Sequence, residues 1–371
     1  MADELIITML PAKEGDCLHI AYGEEDERKH ILIDAGRKWT WKNALKRRLS
    51  DMGVDSLELL VVTHVDRDHI DGMLGLATDD SVTLDVKDFW FNTWDHLHGN
   101  AIVTMEEDDE TESFGAKMGE ELSTHFVEKG WPWNKHFGGR PVELSDAAAD
   151  NVIELDGITL TLLSPSRTKL EELIPKWKQE CKDAGLTPGA TVEDYVVEED
   201  DEIEGFGTID IDALAAEAFE DDHSKANGSS IAFILEYKGV KVLLAGDAHE
   251  DLLVESLEKL GATVESPMKL NAFKVPHHGS KYNVSNRLLA LMDCDAYLIS
   301  TNGNYFDHPE DVAMARLVKH GTDDAGVNFN YKTEHTKIWD NANWRTKYKY
   351  SAVYPPANED GFLTLRFPAV E

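Results

Sequence analysis

The run Leu57-Glu58-Leu59-Leu60-Val61-Val62-Thr63 leads without a break into His64-Val65-Asp66-Arg67-Asp68-His69, and that junction constrains the fold more than any other stretch. An apolar run of this length and β-branched character reads as a strand buried on both faces, which needs a sheet covered on both sides. Such a strand ends at a sheet edge, where side chains can project from a loop without disturbing the core. His64, Asp66, Asp68 and His69 follow within six positions. Imidazole and carboxylate are donors for zinc, manganese and iron, and two of each at one strand end suffice for two ions.

Two later strand ends carry matching chemistry. Leu243-Leu244-Ala245-Gly246-Asp247 aims one carboxylate off an apolar strand, with no side chain on Gly246 to block close approach, and a single carboxylate there could bridge two ions. Lys274-Val275-Pro276-His277-His278-Gly279-Ser280 again runs from a strand into histidines and a glycine. A lone Gly-Asp or a lone histidine pair has ordinary explanations. Three strand-end clusters of donor residues in one chain point to a shared metal centre.

The rest of the pattern suits a layered α/β chain. Short strands are expected at Leu5–Met9, Cys17–Tyr22 and Ile31–Asp34, then a helix over Trp41–Met52 closed by Gly53. A helix near Glu112–Glu128 is followed by strands Val152–Leu155 and Ile158–Leu163, joined by the hairpin signal Asp156-Gly157. A second hairpin, Ser230–Tyr237 and Val240–Ala245, turns at Lys238-Gly239. Helices Glu250–Leu260, Ser285–Met292 and Pro309–His320 alternate with strands Leu270–Val275 and Ala296–Ser300, and late strands are expected near Val327–Tyr331, Tyr348–Val353 and Phe362–Arg366. Two β-rich halves, each with helices, predict two stacked sheets with helices outside, in a single domain over residues 1–371. Residues 166–226 read as an acidic insertion within it: a helix, an acidic stretch, and a short helix near Asp212–Phe219.

A formal charge of −35 disfavours a general nucleic-acid-coating protein, though not local phosphate contacts. The charge is uneven. Val192–Asp222 contains no lysine or arginine, whereas Arg37, Lys38, Lys42, Lys46, Arg47 and Arg48 crowd together, as do Arg345, Lys347 and Lys349. The acidic run reads as a solvated surface or as a docking site for a basic protein partner. The basic run is either an exposed helix face or a track for a phosphate backbone. Trp39, Trp41, Trp90 and Trp94 are candidates for base stacking or for core packing. Cys17, Cys181 and Cys294 form no C-x-x-C pair and read as reduced thiols. No long apolar run and no basic, apolar start is present, so cytoplasmic residence without membrane contact is expected.

Taken together, the three clusters resemble the metallo-β-lactamase superfamily. The family's His-x-His-x-Asp-His appears as His64-x-Asp66-x-Asp68-His69, with aspartate at the second histidine. Leu32-Ile33-Asp34-Ala35-Gly36 looks like the family's early Asp-Gly strand end, Asp247 like its bridging aspartate, and His278, rather than His277, like its last histidine. The aspartate-substituted Thr-His-x-Asp-x-Asp-His-x-x-Gly is similar to the hydrolase domain of ComEC-type competence proteins. So are Asn227-Gly228-Ser229-Ser230-Ile231, Pro-His-His-Gly-Ser, and Ser300-Thr301-Asn302-Gly303-Asn304-Tyr305-Phe306-Asp307-His308-Pro309. The resemblance implies an αββα four-layer sandwich of the metallo-β-lactamase fold, with insertions.

It also implies a metal-dependent hydrolase, a phosphodiesterase or nuclease, acting on nucleic acid or a small nucleotide through a metal-activated hydroxide. The implied metal ligands are His64, Asp66, Asp68, His69, Asp247 and His278. Asp68 is also expected to orient the nucleophile, and His308 to contact phosphate or protonate the leaving group. Asn227, His277, Ser280 and Asn302 are the expected substrate or outer-sphere contacts. In one respect the chain departs from the family: the strand Leu162-Leu163-Ser164-Pro165 ends without the usual further histidine. The ion held by His64, Asp66 and Asp247 is then oxygen-rich, favouring manganese or magnesium over zinc, while Asp68, His69, Asp247 and His278 furnish the other. Ester, amide or peptide hydrolysis on the same fold is the alternative chemistry, and a partner-activated effector subunit of a multi-protein, defence-type system is the alternative role.

Overall fold

Along the strand that carries the donor run, Leu59 and Val61 face one core while Leu60 and Val62 face another. The same division recurs at Ile31 and Ile33 against Leu32, and at Val242 and Leu244 against Leu243 and Ala245. A strand apolar on both faces must lie between two covers. The computed structural model, which describes residues 3–100, 114–183, 209–304, 307–357, 359 and 361–370, shows how those covers arise.

Among the described residues, fourteen strands build two mixed sheets. In chain order they are β1 (Asp3–Met9), β2 (Leu18–Glu24), β3 (Lys29–Ile33), β4 (Leu59–Val61), β5 (Phe89–Trp90), β6 (Val152–Leu155) and β7 (Ile158–Ser164), then β8 (Ala232–Tyr237), β9 (Val240–Leu244), β10 (Ala272–Lys274), β11 (Ala296–Ile299), β12 (Gly326–Phe329), β13 (Ser351–Val353) and β14 (Leu363–Pro368). The first sheet runs β14-β1-β2-β3-β4-β5, antiparallel up to β3 and parallel from β3 to β5. The second runs β13-β12-β11-β10-β9-β8-β7-β6, parallel from β13 to β9 and antiparallel beyond.

One core lies between the sheets, where Ile7, Ile20, Ile31 and Val61 meet Leu160, Phe233, Val242 and Leu298. A second core lies outside the first sheet, where Leu32, Leu60 and Val62 meet Leu45, Met73, Phe126 and Trp177 of the helical layer. The third lies outside the other sheet, joining Leu243, Phe273 and Ile299 to Leu253, Leu288 and Met314. The layering is therefore α, β, β, α, as expected. Both anticipated hairpins form at their Gly positions, with Asp156 and Gly157, and Lys238 and Gly239, all in the left-handed region that such tight turns require.

Three local expectations change. Asp68 and His69 sit in the first turn of a helix, Arg67–Ala77, and not in a loop; Ile70, Met73 and Leu74 on its inner face join the outer core. Tyr348 ends a helix, Ala342–Tyr348, which the Asn341 side chain opens by accepting from the N–H groups of Asn343 and Trp344 and which Lys349, at φ 51°, closes; the strand begins only at Ser351. The front of the acidic insertion belongs to the helical layer: within Arg167–Asp183, Leu170, Leu173 and Trp177 are core residues. Most of the acidic stretch, 184–208, lies outside the described residues. Cys17, Cys181 and Cys294 are buried free thiols, and among the described residues no helix is long and apolar enough to cross a membrane.

Across β2 and β3, His19 Nε2 lies 3.1 Å from His30 Nδ1 with His19 fully buried. Burial, then the neighbouring His30 and Arg48, push the His19 pKa down to about 3. A histidine depressed in the fold is neutral there while the unfolded chain still takes up a proton. Stability is therefore complete above pH about 6.5 and drains as pH falls toward 3, by about 1.4 kcal/mol per unit of pKa difference. In His19→Gln the unfolding free energy should vary less steeply across that window. Equal slopes for variant and wild type, measured by denaturant titration at several pH values, would dismiss this assignment.

Candidate metal centre

Open α/β sheets place their sites at the carboxyl ends of parallel strands. Here β3 leads to Asp34, β4 to Thr63 and His64, β9 to Asp247, β10 to His277 and His278, and β11 to Ser300, with the first two strands in one sheet and the last three in the other. Two glycines permit the convergence. Gly246 adopts a φ of 51° directly before Asp247, and a Cβ there would stand 2.7 Å from Ser230 Oγ. Gly72, the last residue of the Thr63–Gly72 motif, lets the helix carrying Asp68 and His69 touch the 35–36 backbone: a Cβ would lie 2.0 Å from the Ala35 carbonyl oxygen, and Gly72 N–H donates to Gly36 O at 2.8 Å.

The hydrogen bonds fix the histidine tautomers. Asp34 Oδ2 accepts from Thr63 Oγ1 at 2.7 Å and from His69 Nδ1 at 2.8 Å. With its hydrogen committed to Asp34, Thr63 Oγ1 accepts from His64 Nδ1 at 3.0 Å. His278 Nδ1 donates to the Ser300 carbonyl at 2.9 Å. All three rings therefore carry their anchoring proton on Nδ1 and turn Nε2 inward. His69 Nε2 and His278 Nε2 come to 3.2 Å of each other, while His64 Nε2 and Asp247 Oδ1 are buried with no hydrogen-bond partner. Converging lone pairs and orphaned polar atoms at full burial are costly unless a cation lies among them.

The carboxylates complete that environment. Asp247 Oδ2 lies 3.4 Å from His69 Nε2, 3.5 Å from His278 Nε2 and 3.8 Å from His64 Nε2. Asp68 Oδ2 lies 3.3 Å from His278 Nε2 and 3.7 Å from His69 Nε2, and Asp66 Oδ2 3.6 Å from His64 Nε2. Burial alone would raise Asp68 and Asp247, yet the adjacent imidazoles hold both well below the usual carboxylate range. Burial opposes charging His69 and His278, and Asp247 with the neighbouring carboxylates nevertheless lifts both. A field that draws protons onto these nitrogens draws a divalent ion equally. The donor set fits one: ligand atoms of His64, His69 and Asp247 gather in one cluster and those of Asp68, His69 and His278 in another, with Asp66 beside His64.

Behind the donors stand residues that the sequence did not single out as site residues. Asp16 and Lys274, with side chains 2% and 1% exposed, pair at 2.8 Å, and the other Asp16 oxygen is 3.5 Å from His278 Nδ1. Against the upward push of burial, Lys274 and His278 hold the Asp16 pKa at about 2. Asp34, read only as a strand-end marker, anchors two donors through Thr63 and His69. The available signal was an acid at each of two further strand or turn ends, with no spacing rule linking either to the cluster.

The remaining expected residues divide. His277 and His308 stand together at the pocket, their ring centres 5.0 Å apart and His308 6.4 Å from His278. Burial, then His277 and His278, hold His308 well below its ordinary pKa, so a neutral hydrogen-bonding ring is favoured over a proton donor. Asn227 Nδ2 lies 3.3 Å from His277 Nδ1 and donates to Asp222 at 2.8 Å. Ser280 donates to Glu310 (3.3 Å), and Asn302 closes its own turn by accepting from Asn304 N–H (3.1 Å). Tyr305 and Phe306 of that motif lie outside the described residues. The basic run is largely engaged: Arg37 with buried Glu14, Lys46 with Asp79, Arg47 with Asp51, and Arg48 with Thr8. Trp41 and Trp90 are core and Trp94 packs partly buried against it, leaving Trp39, 45% exposed, beside Lys38 and Lys42.

Fold and donor set define an αββα protein with a buried His/Asp pocket suited to one or two divalent ions. No family model and no curated protein matches the chain. Among solved structures, CmlA, a diiron beta-hydroxylase from Streptomyces venezuelae, aligns with 99% of this chain and 55% of its own, at 12% identity and a TM-score of 0.43. This chain thus spans about half of that one. A diphosphatase from the PhnP family aligns with 99% of this chain and 100% of its own, at 11% identity and a TM-score of 0.38.

Proposed function

We propose that the protein is a metal-dependent hydrolase that cleaves phosphodiesters, in nucleic acid or in small nucleotides. The observation that carries the metal dependence is the inward convergence of His64, His69 and His278 Nε2 on Asp247 in one buried pocket. The ComEC-like motifs support the phosphodiester substrate class. Divalent ions bound there supply a Lewis acid and water activated near neutral pH. In this reading Asp68, whose Oδ2 lies 3.7 Å from His69 Nε2 and 3.3 Å from His278 Nε2, is a ligand that would also orient the attacking water. In this reading His308, beside His277 and His278, and Asn227, beside His277, are phosphate or outer-sphere contacts, and Ser280 and Asn302 hold the adjoining turns. The oxygen-rich His64 side favours manganese. A basic protein partner bound through the acidic insertion belongs to the same proposal.

Purified protein with manganese or zinc should turn over single- or double-stranded DNA, RNA or a small phosphodiester, and Asp68→Ala should lose about 10³-fold of that rate. Hydrolysis of peptides or acyl esters with none of phosphodiesters would transfer the assignment to that alternative. Equal rates for wild type and Asp68→Ala would end it.

A further inference from the structure

His277 is the imidazole that the donor set above leaves out, and its surroundings repeat those of the donors. Its Nδ1 lies 3.0 Å from Asn283 Oδ1 and 3.6 Å from Asp222 Oδ2, so the Nδ1 proton has an acceptor on one side and a carboxylate on the other. The same Asp222 oxygen accepts from Asn227 Nδ2 at 2.8 Å and from Asn283 Nδ2 at 3.1 Å, and Asp222 Oδ1 accepts from Ser224 N–H at 2.8 Å. Asp222, with its side chain 9% exposed, is thus fixed on several sides as an anion. Asn283 is buried and held in turn, donating also to the Asp247 and Ala248 carbonyls at 3.4 and 3.2 Å. His277 and His278 both take left-handed backbone angles, φ 46° and 54°, and His277 N–H donates to Gly246 O at 3.1 Å. The outcome is that His277 Nε2 stands 3.9 Å from Asp247 Oδ2, the oxygen the other three rings surround, with the side chain 22% exposed.

A ring pinned through Nδ1–H to an amide and a carboxylate, with Nε2 facing a shared carboxylate oxygen, is the arrangement in which proteins present histidine to a metal. One side of this centre needs such a donor. The buried strand end at Ser164 offers no imidazole, so His64 is the one nitrogen beside Asp66 in the donor set expected from the sequence.

We propose that His277 is a further nitrogen donor to the metal pocket, approaching it through the shared Asp247, and that Asp222 and Asn283 are the positioning residues that aim it. This rests on the reading of the pocket as a metal centre, but not on the phosphodiester substrate. It also assigns a place to the end of the acidic insertion: Asp222 belongs to the site and not to a docking surface.

The test uses the full chain with ¹⁵N-labelled histidine, followed by NMR while Zn²⁺ is added, with His277→Gln supplying the assignment. In the metal-free protein His277 should show its proton fixed on Nδ1, and Zn²⁺ should shift its Nε2 resonance as it shifts those of His64, His69 and His278. In calorimetric titration, His277→Gln should lose the weaker of two Zn²⁺ binding events, and Asp222→Asn should weaken it about 10- to 100-fold. The partly exposed His277 makes the Gln variant a mild one for folding, and thermal melts of both variants should match wild type within a few degrees. A His277 resonance unmoved by Zn²⁺ while His69 and His278 shift would overturn the proposal, as would unchanged two-ion binding in His277→Gln. No substrate is used, so absence of phosphodiester turnover would leave this result standing.

Discussion

Asp247→Ala should abolish metal uptake and hydrolysis together, with the rate falling about 10³-fold or more. One oxygen of this carboxylate lies 3.4 to 3.9 Å from four imidazole nitrogens, those of His69, His278, His64 and His277. It is the point that both halves of the donor set share. Its backbone N–H is fixed to Ser230 Oγ at 3.0 Å, so the carboxylate is aimed before any ion arrives. Loss of several kcal/mol of charge stabilisation at the reacting centre of the proposed hydrolysis corresponds to about three orders of magnitude in rate. Asp247→Asn, which keeps the shape and removes the charge, should behave almost as badly. Elemental analysis of the purified variants and single-turnover rates check both halves of this expectation. A variant that keeps its metal complement and a tenth of the wild-type rate would show that Asp247 is not the shared ligand.

Lys274→Met should destabilise the fold by about 3–5 kcal/mol, more than removal of any surface charge, because it leaves the Asp16 carboxylate buried with only His278 beside it. Asp16 is held at a pKa of about 2 only because Lys274 and His278 override the push of burial. Its contribution is present above pH about 3.8 and is lost as pH falls toward 2; in Lys274→Met that loss should begin at higher pH. The double variant Asp16→Leu/Lys274→Met removes both charges and should recover most of the stability. It should not recover metal affinity, since Asp16 also faces His278 Nδ1 at 3.5 Å and outer-sphere partners of this kind contribute about 10- to 100-fold. Denaturant unfolding of the three variants separates the two effects. A Lys274→Met protein within about 1 kcal/mol of wild type would mean that water or rearrangement satisfies Asp16.

Much of the donor set was legible in the chain because metal chemistry restricts residue type and because apolar strands advertise their ends. His64, Asp66, Asp68 and His69 follow one strand, Asp247 a second and His278 a third, and the pocket gathers all of them. The helix at Arg67–Ala77 was not read, since its first turn consists of donors whose side chains serve the pocket and whose polarity masks the amphipathic pattern. Asp34 carried the mark of a strand end but none of its link to His69, and Asp16, Lys274 and Asp222 carried no mark at all. An aspartate in a turn is ordinary in sequence and becomes consequential only when folding buries it against a histidine.

From the sequence alone came the two-faced strands, the two hairpin turns and the kinds of atoms available to hold a cation, because each depends on residues adjacent along the chain. The tertiary structure alone decided which nitrogen of each histidine points inward. That choice rests on Asp34 reaching His69, on Thr63 reaching His64, on Ser300 reaching His278 and on Asn283 reaching His277. Asp34 and Ser300 come from neighbouring strand ends of the same sheet as their histidines, so strand pairing sets those two tautomers, and the stacking of one sheet on the other then brings the inward nitrogens of His64 and His69 to Asp247 and His278.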